Sequence, residues 1–278
     1  MIDFAFLDKI REQEVVVADA QLRRPPGRLL EIGAGTGAQA KVLAARGFQV
    51  NAIEIANSIY QPEQVFPVSI YDGKNIPFPD ASFDIVFSSH VLMHIAQADA
   101  FQKEILRVLK PGGQVVHILP TTSWRFWTCL VHYPARYLAH GARTWKMLTR
   151  DAGAAVAASA SATTTSAKAN EDALWLRVVR KLLFPFTPPG RIGERGNALS
   201  EHYFFSERAW NQLFRRNGQV VMACVPNRLF YTGHMSFGSR IQLHVRSLMS
   251  YLLGSAGKVY VLRADARRVP AAAVSPQK

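Results

Sequence analysis

The feature that most constrains this chain is a rhythm between residues 28 and 120, where short apolar runs alternate with stretches patterned as helices. "RLLEI" runs straight into a glycine-rich turn, and "AQAKVLAARGF" follows with helical patterning closed by Gly47. "QVNAIEI", "VFPVSI" and "SFDIVFSS" read as the second, third and fourth strands. "AFQKEILRVL" predicts a helix stopped by Pro111 and Gly112, and "GQVVHILP" a fifth strand. Strands alternating with helices at this spacing predict a parallel sheet with helices on both faces. Residues 1–22, ended by Pro25, Pro26 and Gly27, predict a further helix laid against it.

Beyond Pro120 the rhythm breaks. Residues 121–205 read as a helical and aromatic insertion or lid, containing an Ala/Ser/Thr tract at 152–170 with almost nothing to bury, which is expected to be flexible. "DALWLRVVRKLLFPF" within it is amphipathic, with Arg177, Arg180 and Lys181 near one face. Over residues 206–263 the regular pattern returns. "SERAWNQLFRRNG" is expected to be a helix with Ser206 as its N-cap, and "QVVMACV" and "KVYVLRA" to be strands on either side of a basic, apolar insertion at 226–257. Residues 264–278 read as a tail.

Composition narrows the partners. Of the net charge of +13, residues 1–120 contribute −2, residues 121–200 contribute +7 and residues 201–278 contribute +8. The basic excess therefore belongs to the latter part of the chain, where it favours an acidic substrate, an anionic membrane surface or nucleic acid. Cys129 and Cys224 stand far apart and outside any metal-ligand spacing, so no metal site is expected. The start, "MIDFAFLDKIREQE", has neither a signal nor a transit pattern, and no apolar run reaches the roughly 18 residues that span a bilayer. A cytoplasmic protein is expected, peripheral to the inner face of the membrane.

The glycine turn, "LLEIGAGTGA", fits two cofactors. Gly33, Gly35 and Ala38 form G-x-G-x-x-A, a dinucleotide turn, while Gly33, Gly35 and Gly37 form G-x-G-x-G, which holds S-adenosylmethionine. Both ligands use a carboxylate ending the second strand, which Glu54 supplies. Glu31, two residues before Gly33, tilts the balance, because a pyrophosphate is repelled by a carboxylate whereas a sulfonium and an ammonium are not. A dehydrogenase also leaves "PFPDASFD" without a role.

These motifs resemble the class I S-adenosylmethionine-dependent methyltransferases, in particular the type 11 group that includes the quinone-pathway C-methyltransferases. "LLEIGAGTG", "IEI", "YDGKNIPFPDASFDIVFSSHVLMHI" and "ILRVLKPGGQVVHI" carry the resemblance over residues 28–119, and residues 206–263 carry it more loosely. It implies a doubly wound, Rossmann-like, seven-stranded sheet whose last strand, "KVYVLRA", lies antiparallel beside the fifth. It also implies that residues 1–120 are the S-adenosylmethionine-binding core. There Glu31, Gly33, Gly35 and Gly37 would line the methionine part, Glu54 would take the ribose hydroxyls and Asp72 the adenine amino group. Ile55 and Ile76 would flank the adenine, and Ser89 would sit near the methyl group. Without its neighbours Asp72 would read as a turn residue, and Asp84 reads as a structural carboxylate.

Methyl transfer to a hydroxyl needs alignment and a proton acceptor. His90 and His94 follow the fourth strand, four apart in a predicted helix and hence on one face, and His202 is a third candidate. "SSHV" stands where amide and base N-methyltransferases of the family often carry Asn-Pro-Pro-Tyr, which disfavours DNA and protein-amide acceptors. "SWRFWTCLVHYPARY" keeps RNA as an alternative, and the insertions keep a non-catalytic S-adenosylmethionine-binding scaffold as another. The favoured acceptor is a small molecule, a glycan or a lipid-linked compound at the membrane. Trp, Tyr and Arg mix in residues 121–146 as they do at lipid interfaces, and Arg240 and Arg246 sit among Leu, Met and Phe. The insertion, and only the insertion, also resembles methyltransferases of bacterial cell-surface polysaccharide formation, which would put Arg191, Arg195, Glu201 and His202 against the acceptor.

Overall fold

A computed structural model of the chain describes residues 4–60, 63–133, 189–233 and 238–265. The 152–170 tract, the 172–186 segment and the tail beyond 265 lie outside the described residues. Seven strands form one sheet: β1 (Arg28–Ile32), β2 (Gln49–Ile55), β3 (Val68–Tyr71), β4 (Phe83–Ser89), β5 (Leu109–Pro120), β6 (Gln219–Pro226) and β7 (Gly257–Ala264). Their order is β3-β2-β1-β4-β5-β7-β6. The first five are parallel, and β7 runs antiparallel between β5 and β6, where Val116 faces Val261. This is the seven-stranded arrangement expected from the resemblance.

Strand geometry sends alternate side chains to opposite faces, and the apolar runs of β1, β4 and β5 feed both. Leu29, Ile85, Phe87, Val116 and Ile118 pack with Val15 and Ala18 of helix α1 (Phe4–Asp19) and Leu43 of helix α2 (Ala38–Ala45). Leu30, Ile32, Val86 and Val115 pack with Phe101 and Ile105 of helix α3 (Ala98–Val108). Residues 122–133 form a fourth helix, α4, followed in the described chain by the single turn α5 (Glu201–Phe204). Helix α6 (Glu207–Arg216) buries Trp210, Leu213 and Phe214, and its N-cap, Ser206, accepts from the Ala209 amide at 3.2 Å, as its sequence predicts.

Two expectations change. Helix α3 ends at Val108, before Pro111, because the amides of Ala81 and Ser82 take the carbonyls of Arg107 and Val108. Phe83 pairs with Leu109 and a register shift absorbs the Pro-Gly-Gly stretch, so β5 starts four residues earlier than expected. The 226–257 insertion contains helix α7 (Leu243–Leu253), but Arg246 is not on its surface. That side chain is 2% exposed and donates to the carbonyls of Ile241, Phe230 and Gly238 at 2.7 to 3.1 Å, with its guanidinium 4.8 Å from the Phe6 ring. The outer side of α7 is apolar instead, exposing Val245, Leu248, Tyr251 and Leu252.

One core group sets a pH dependence. His117 in β5 is fully buried, hydrogen-bonded through Nδ1 to Ser88 Oγ at 2.8 Å and stacked on Phe214, and burial pushes its pKa down to about 3. The unfolded chain takes that proton near 6.5, so below this pH the unfolded state binds more protons and stability falls as pH drops towards 3. The limiting slope is about 1.4 kcal/mol per pH unit. We expect the stability gap between wild type and His117→Gln to shrink between pH 7.5 and pH 5 in urea melts; an unchanged gap would show that His117 charges freely in the folded state.

Candidate active site

The glycine turn follows β1 directly. The Gly33 and Ala34 amides both donate to the Ile53 carbonyl, at 2.8 and 3.1 Å, which folds the turn back over β2. Gly33 has φ +69°, and a Cβ there would collide with Val91, so only glycine fits. Gly37, at φ +77°, caps α2, where a Cβ would lie 2.8 Å from Phe66. Glu54, near the end of β2, is fixed by two amides, Gly35 N to Oε2 at 2.7 Å and Ile55 N to Oε1 at 2.9 Å. Each oxygen keeps lone-pair capacity for a ligand.

Above the turn lies a cavity of about 620 Å³ walled by Gly33–Thr36, Glu54, Ile55, Tyr60, Ser89, His90, Met93 and His94. Leu7, Asp8 and Arg11 of α1 complete the wall. Asp8 accepts from the Thr36 hydroxyl at 3.1 Å and the Arg11 carbonyl from Gln39, so α1 is tied to the glycine turn it covers. The Ser89 hydroxyl is buried with no hydrogen-bond partner among the described residues.

Of the candidate residues, Gly33, Gly35, Glu54, Ile55, Ser89, His90 and His94 thus share one cavity, while Glu31, Gly37, Asp72, Ile76 and His202 stand outside its wall. Glu31 is buried behind the turn, and burial followed by the charge of Glu54 pushes its pKa up to about 8. Its Oε2 is buried with no hydrogen-bond partner among the described residues. The Asp72 carboxylate accepts from Lys74 N, Asn75 N and Asn75 Nδ2 at 2.7 to 2.8 Å, the work of a turn residue. Ile76 is 2% exposed, in the core, and its backbone is held by Glu104 and Arg107. His90 is not helical: it ends β4 at φ +57°, and His94 closes a separate 3₁₀ turn, Leu92–His94.

Of the residues that the resemblance of the insertion puts against an acceptor, Glu201 is engaged inside the protein and none lies in the cavity wall. Glu201 and Arg125 form a buried pair, Nε to Oε2 2.8 Å, and Glu201 also accepts from the Ile192 and Gly193 amides. Arg191 pairs with Glu194, Arg195 lies over the Phe204 and Trp210 rings, and the His202 carbonyl accepts from Thr122. The 190–194 segment they hold does reach the site's edge, where the Glu194 amide donates to the Met93 carbonyl beside His94.

Sequence reasoning missed Asp8, Arg11 and Glu14, whose only signal is their recurrence at three-residue steps along α1. Glu14 Oε2 pairs with Arg11 at 2.6 Å, and Oε1 lies 2.7 Å from the Tyr231 hydroxyl, 2.8 Å from Asn227 Nδ2 and 3.2 Å from His90 Nε2. Burial works against its charge, but Arg11 and then His90 outweigh that and hold the carboxyl well below the usual range. Burial, and then Arg11, lowers the His90 pKa, so the imidazole is neutral at neutral pH.

Comparison with known proteins agrees with this geometry. Residues 30–117 match the methyltransferase domain family. Over 100 residues the chain is 41% identical to the biotin biosynthesis bifunctional protein BioHC of Cellvibrio japonicus, covering 34% of this chain and 20% of that one. It is 37% identical over 109 residues to the 2-methyl-6-phytyl-1,4-hydroquinone methyltransferase of Synechocystis (36% and 33% covered). With a ubiquinone/menaquinone biosynthesis C-methyltransferase of Cupriavidus pinatubonensis the identity is 33% over 120 residues (39% and 49% covered). The chain thus spans half or less of the length of these relatives. In fold it is similar to the crystal structure of an S-adenosylmethionine-dependent methyltransferase from Mesorhizobium loti, at TM-score 0.50 and 13% identity, with 90% and 97% of the chains covered. If Glu54 faces the ligand and Glu31 stands behind it, Glu54→Gln loses about 2 kcal/mol of S-adenosylmethionine affinity, roughly thirtyfold, and Glu31→Gln stays within about threefold. Calorimetric titration checks this, and the reverse order would move Glu31 into the ligand shell.

Proposed function

We propose that this chain, whose residues 30–117 belong to the methyltransferase domain family, transfers a methyl group from S-adenosylmethionine to a hydroxyl oxygen of a small-molecule, glycan or lipid-linked acceptor. The observation that carries the reading is the cavity itself, which joins the glycine turn and the fixed Glu54 carboxylate to two histidines in one wall. The donor set fits a cationic nucleoside. Glu54 offers lone pairs to ribose hydroxyls, Arg11 and Asp8 offer opposite charges to an amino-acid end, and the unpartnered Ser89 hydroxyl offers a hydrogen bond. Bound there, S-adenosylmethionine supplies an electrophilic methyl group on sulfur. The chain's part is to hold the acceptor in line, exclude water beneath α1 and take the hydroxyl proton at His90 or His94.

One relative is named for a hydroquinone and another as a ubiquinone/menaquinone C-methyltransferase, so a phenolic small molecule is the first acceptor to test, with O-methyl and ring C-methyl products told apart. The apolar outer strip of α7 supports an acceptor drawn from a membrane surface. Leu248 and Leu252 are 67% and 86% exposed on a helix whose buried side touches Phe6, the neighbour of Leu7 in the cavity wall. No helix among the described residues is long and apolar enough to cross a membrane, so the contact proposed is peripheral.

Radiolabel from S-[methyl-³H]adenosylmethionine should pass to a small organic-soluble compound when the protein is incubated with a hydroquinone or a cell extract. Donor binding without any transfer would favour a scaffold, label in RNA would favour the alternative acceptor, and binding of NADH instead would sink the methyltransferase reading. Flotation with vesicles containing anionic lipid should capture the protein. The Leu248→Ser/Leu252→Ser double variant should lose most of that capture without a change in melting temperature, and equal capture would remove α7 from the membrane argument.

A further inference from the structure

We propose that Glu14 and Tyr231 are positioning residues that commit the Nε2 edge of His90 to a buried network and leave Nδ1 as the proton acceptor facing the cavity. The inference deepens the methyltransferase reading and rests on it. His90 Nε2 lies 3.2 Å from Glu14 Oε1 and 3.1 Å from the Tyr231 hydroxyl, which itself donates to the same Oε1 at 2.7 Å. A neutral imidazole carries one N–H, and a buried, ionised carboxylate beside Nε2 holds it there. Nδ1 is then a bare lone pair, and no hydrogen bond reaches it from the described residues, although His90 is in the cavity wall.

Turning the ring to exchange its edges would break the contacts of Nε2 with Glu14 and Tyr231. His90 holds φ +57°, a conformation that side-chain-bearing residues rarely adopt, and its amide is fixed to the Ile118 carbonyl at 2.8 Å. The charged and titratable groups around it are Arg11 and Glu14 from α1, Tyr231 from the 227–231 segment and His94 from the following turn. Arg11 opposes a positive imidazole and Glu14 favours it. In the step this arrangement serves, the acceptor hydroxyl gives its proton to Nδ1 and an oxygen electron pair forms the new O–C bond. The C–S pair stays on the donor sulfur, which leaves as a neutral thioether. The imidazolium that forms is held by Glu14 through Nε2–H.

Long-range ¹⁵N–¹H spectra of the histidine side chains test this on the full chain, with His90 assigned from the signals missing in His90→Gln. The wild type should show His90 with protonated Nε2 and bare Nδ1 by at least about tenfold, and a pKa below 6.5. Glu14→Gln should bring that ratio towards unity and lower the pKa further by about one unit. Tyr231→Phe removes the donor that competes for Glu14 Oε1, so it should keep the proton on Nε2 and raise the pKa. A wild-type ring protonated on Nδ1, or a ratio and pKa untouched in a folded Glu14→Gln, would overturn the proposal. If Glu14→Gln fails to fold, the wild-type tautomer and the direction of the pKa shift in Tyr231→Phe decide. Titration of the wild type with S-adenosylmethionine separates the two readings, because failed binding sinks the methyltransferase assignment and leaves the tautomer measurement legible.

Discussion

The carboxylate of Glu14, fully buried, is the interaction on which the wall of the cavity depends. A buried charge survives only when hydrogen-bonded on its remaining lone pairs, and breaking such a cluster is far costlier than never having built it. Here the donors come from Arg11 on its own helix, His90 at the end of β4, and Asn227 and Tyr231 of the segment that leaves β6. The helix that covers the glycine turn, the strand end that carries the candidate base and the insertion that leads to α7 therefore share one electrostatic node. None can move away without leaving a carboxylate short of partners.

That node explains why α1 belongs to the site and not merely to the core. Its apolar residues Val15 and Ala18 fill the face of the sheet shared with α2, whereas Leu7, Asp8 and Arg11 look into the cavity. Arg11 does both jobs, pairing with Glu14 while lining the wall. A ligand carboxylate at Arg11 would compete with Glu14 for the same guanidinium, which links occupation of the cavity to the charge felt at His90.

The sheet and the glycine turn were legible because they are written in local pattern. Short apolar runs between helical stretches marked the strands, and glycines at 33 and 37 were required by backbone conformations and close contacts that another residue cannot meet. The network behind His90 was not legible, because its partners are remote: Glu14 meets Asn227 and Tyr231 across more than 200 residues of sequence. The surroundings of Glu31 and Asp72 were not legible either: burial raises the pKa of the first, and three local donors share the two oxygens of the second. Spacing identifies where a carboxylate sits along the chain, whereas its charge and its free lone pairs are decided by what packs around it.

The same distinction applies to the basic excess. Arg125 and Arg246 are 1% and 2% exposed, one paired with Glu201 and the other spent on backbone carbonyls. Arg191, Arg216 and Lys258 face Glu194, Asp99 and Glu207. What α7 turns outward is Val245, Leu248, Tyr251 and Leu252, with the guanidinium of exposed Arg228 4.6 Å from the Tyr251 ring. Attachment through that strip would scale with apolar area, at about 25 cal/mol per Å² removed from water, with a salt-sensitive contribution from Arg228.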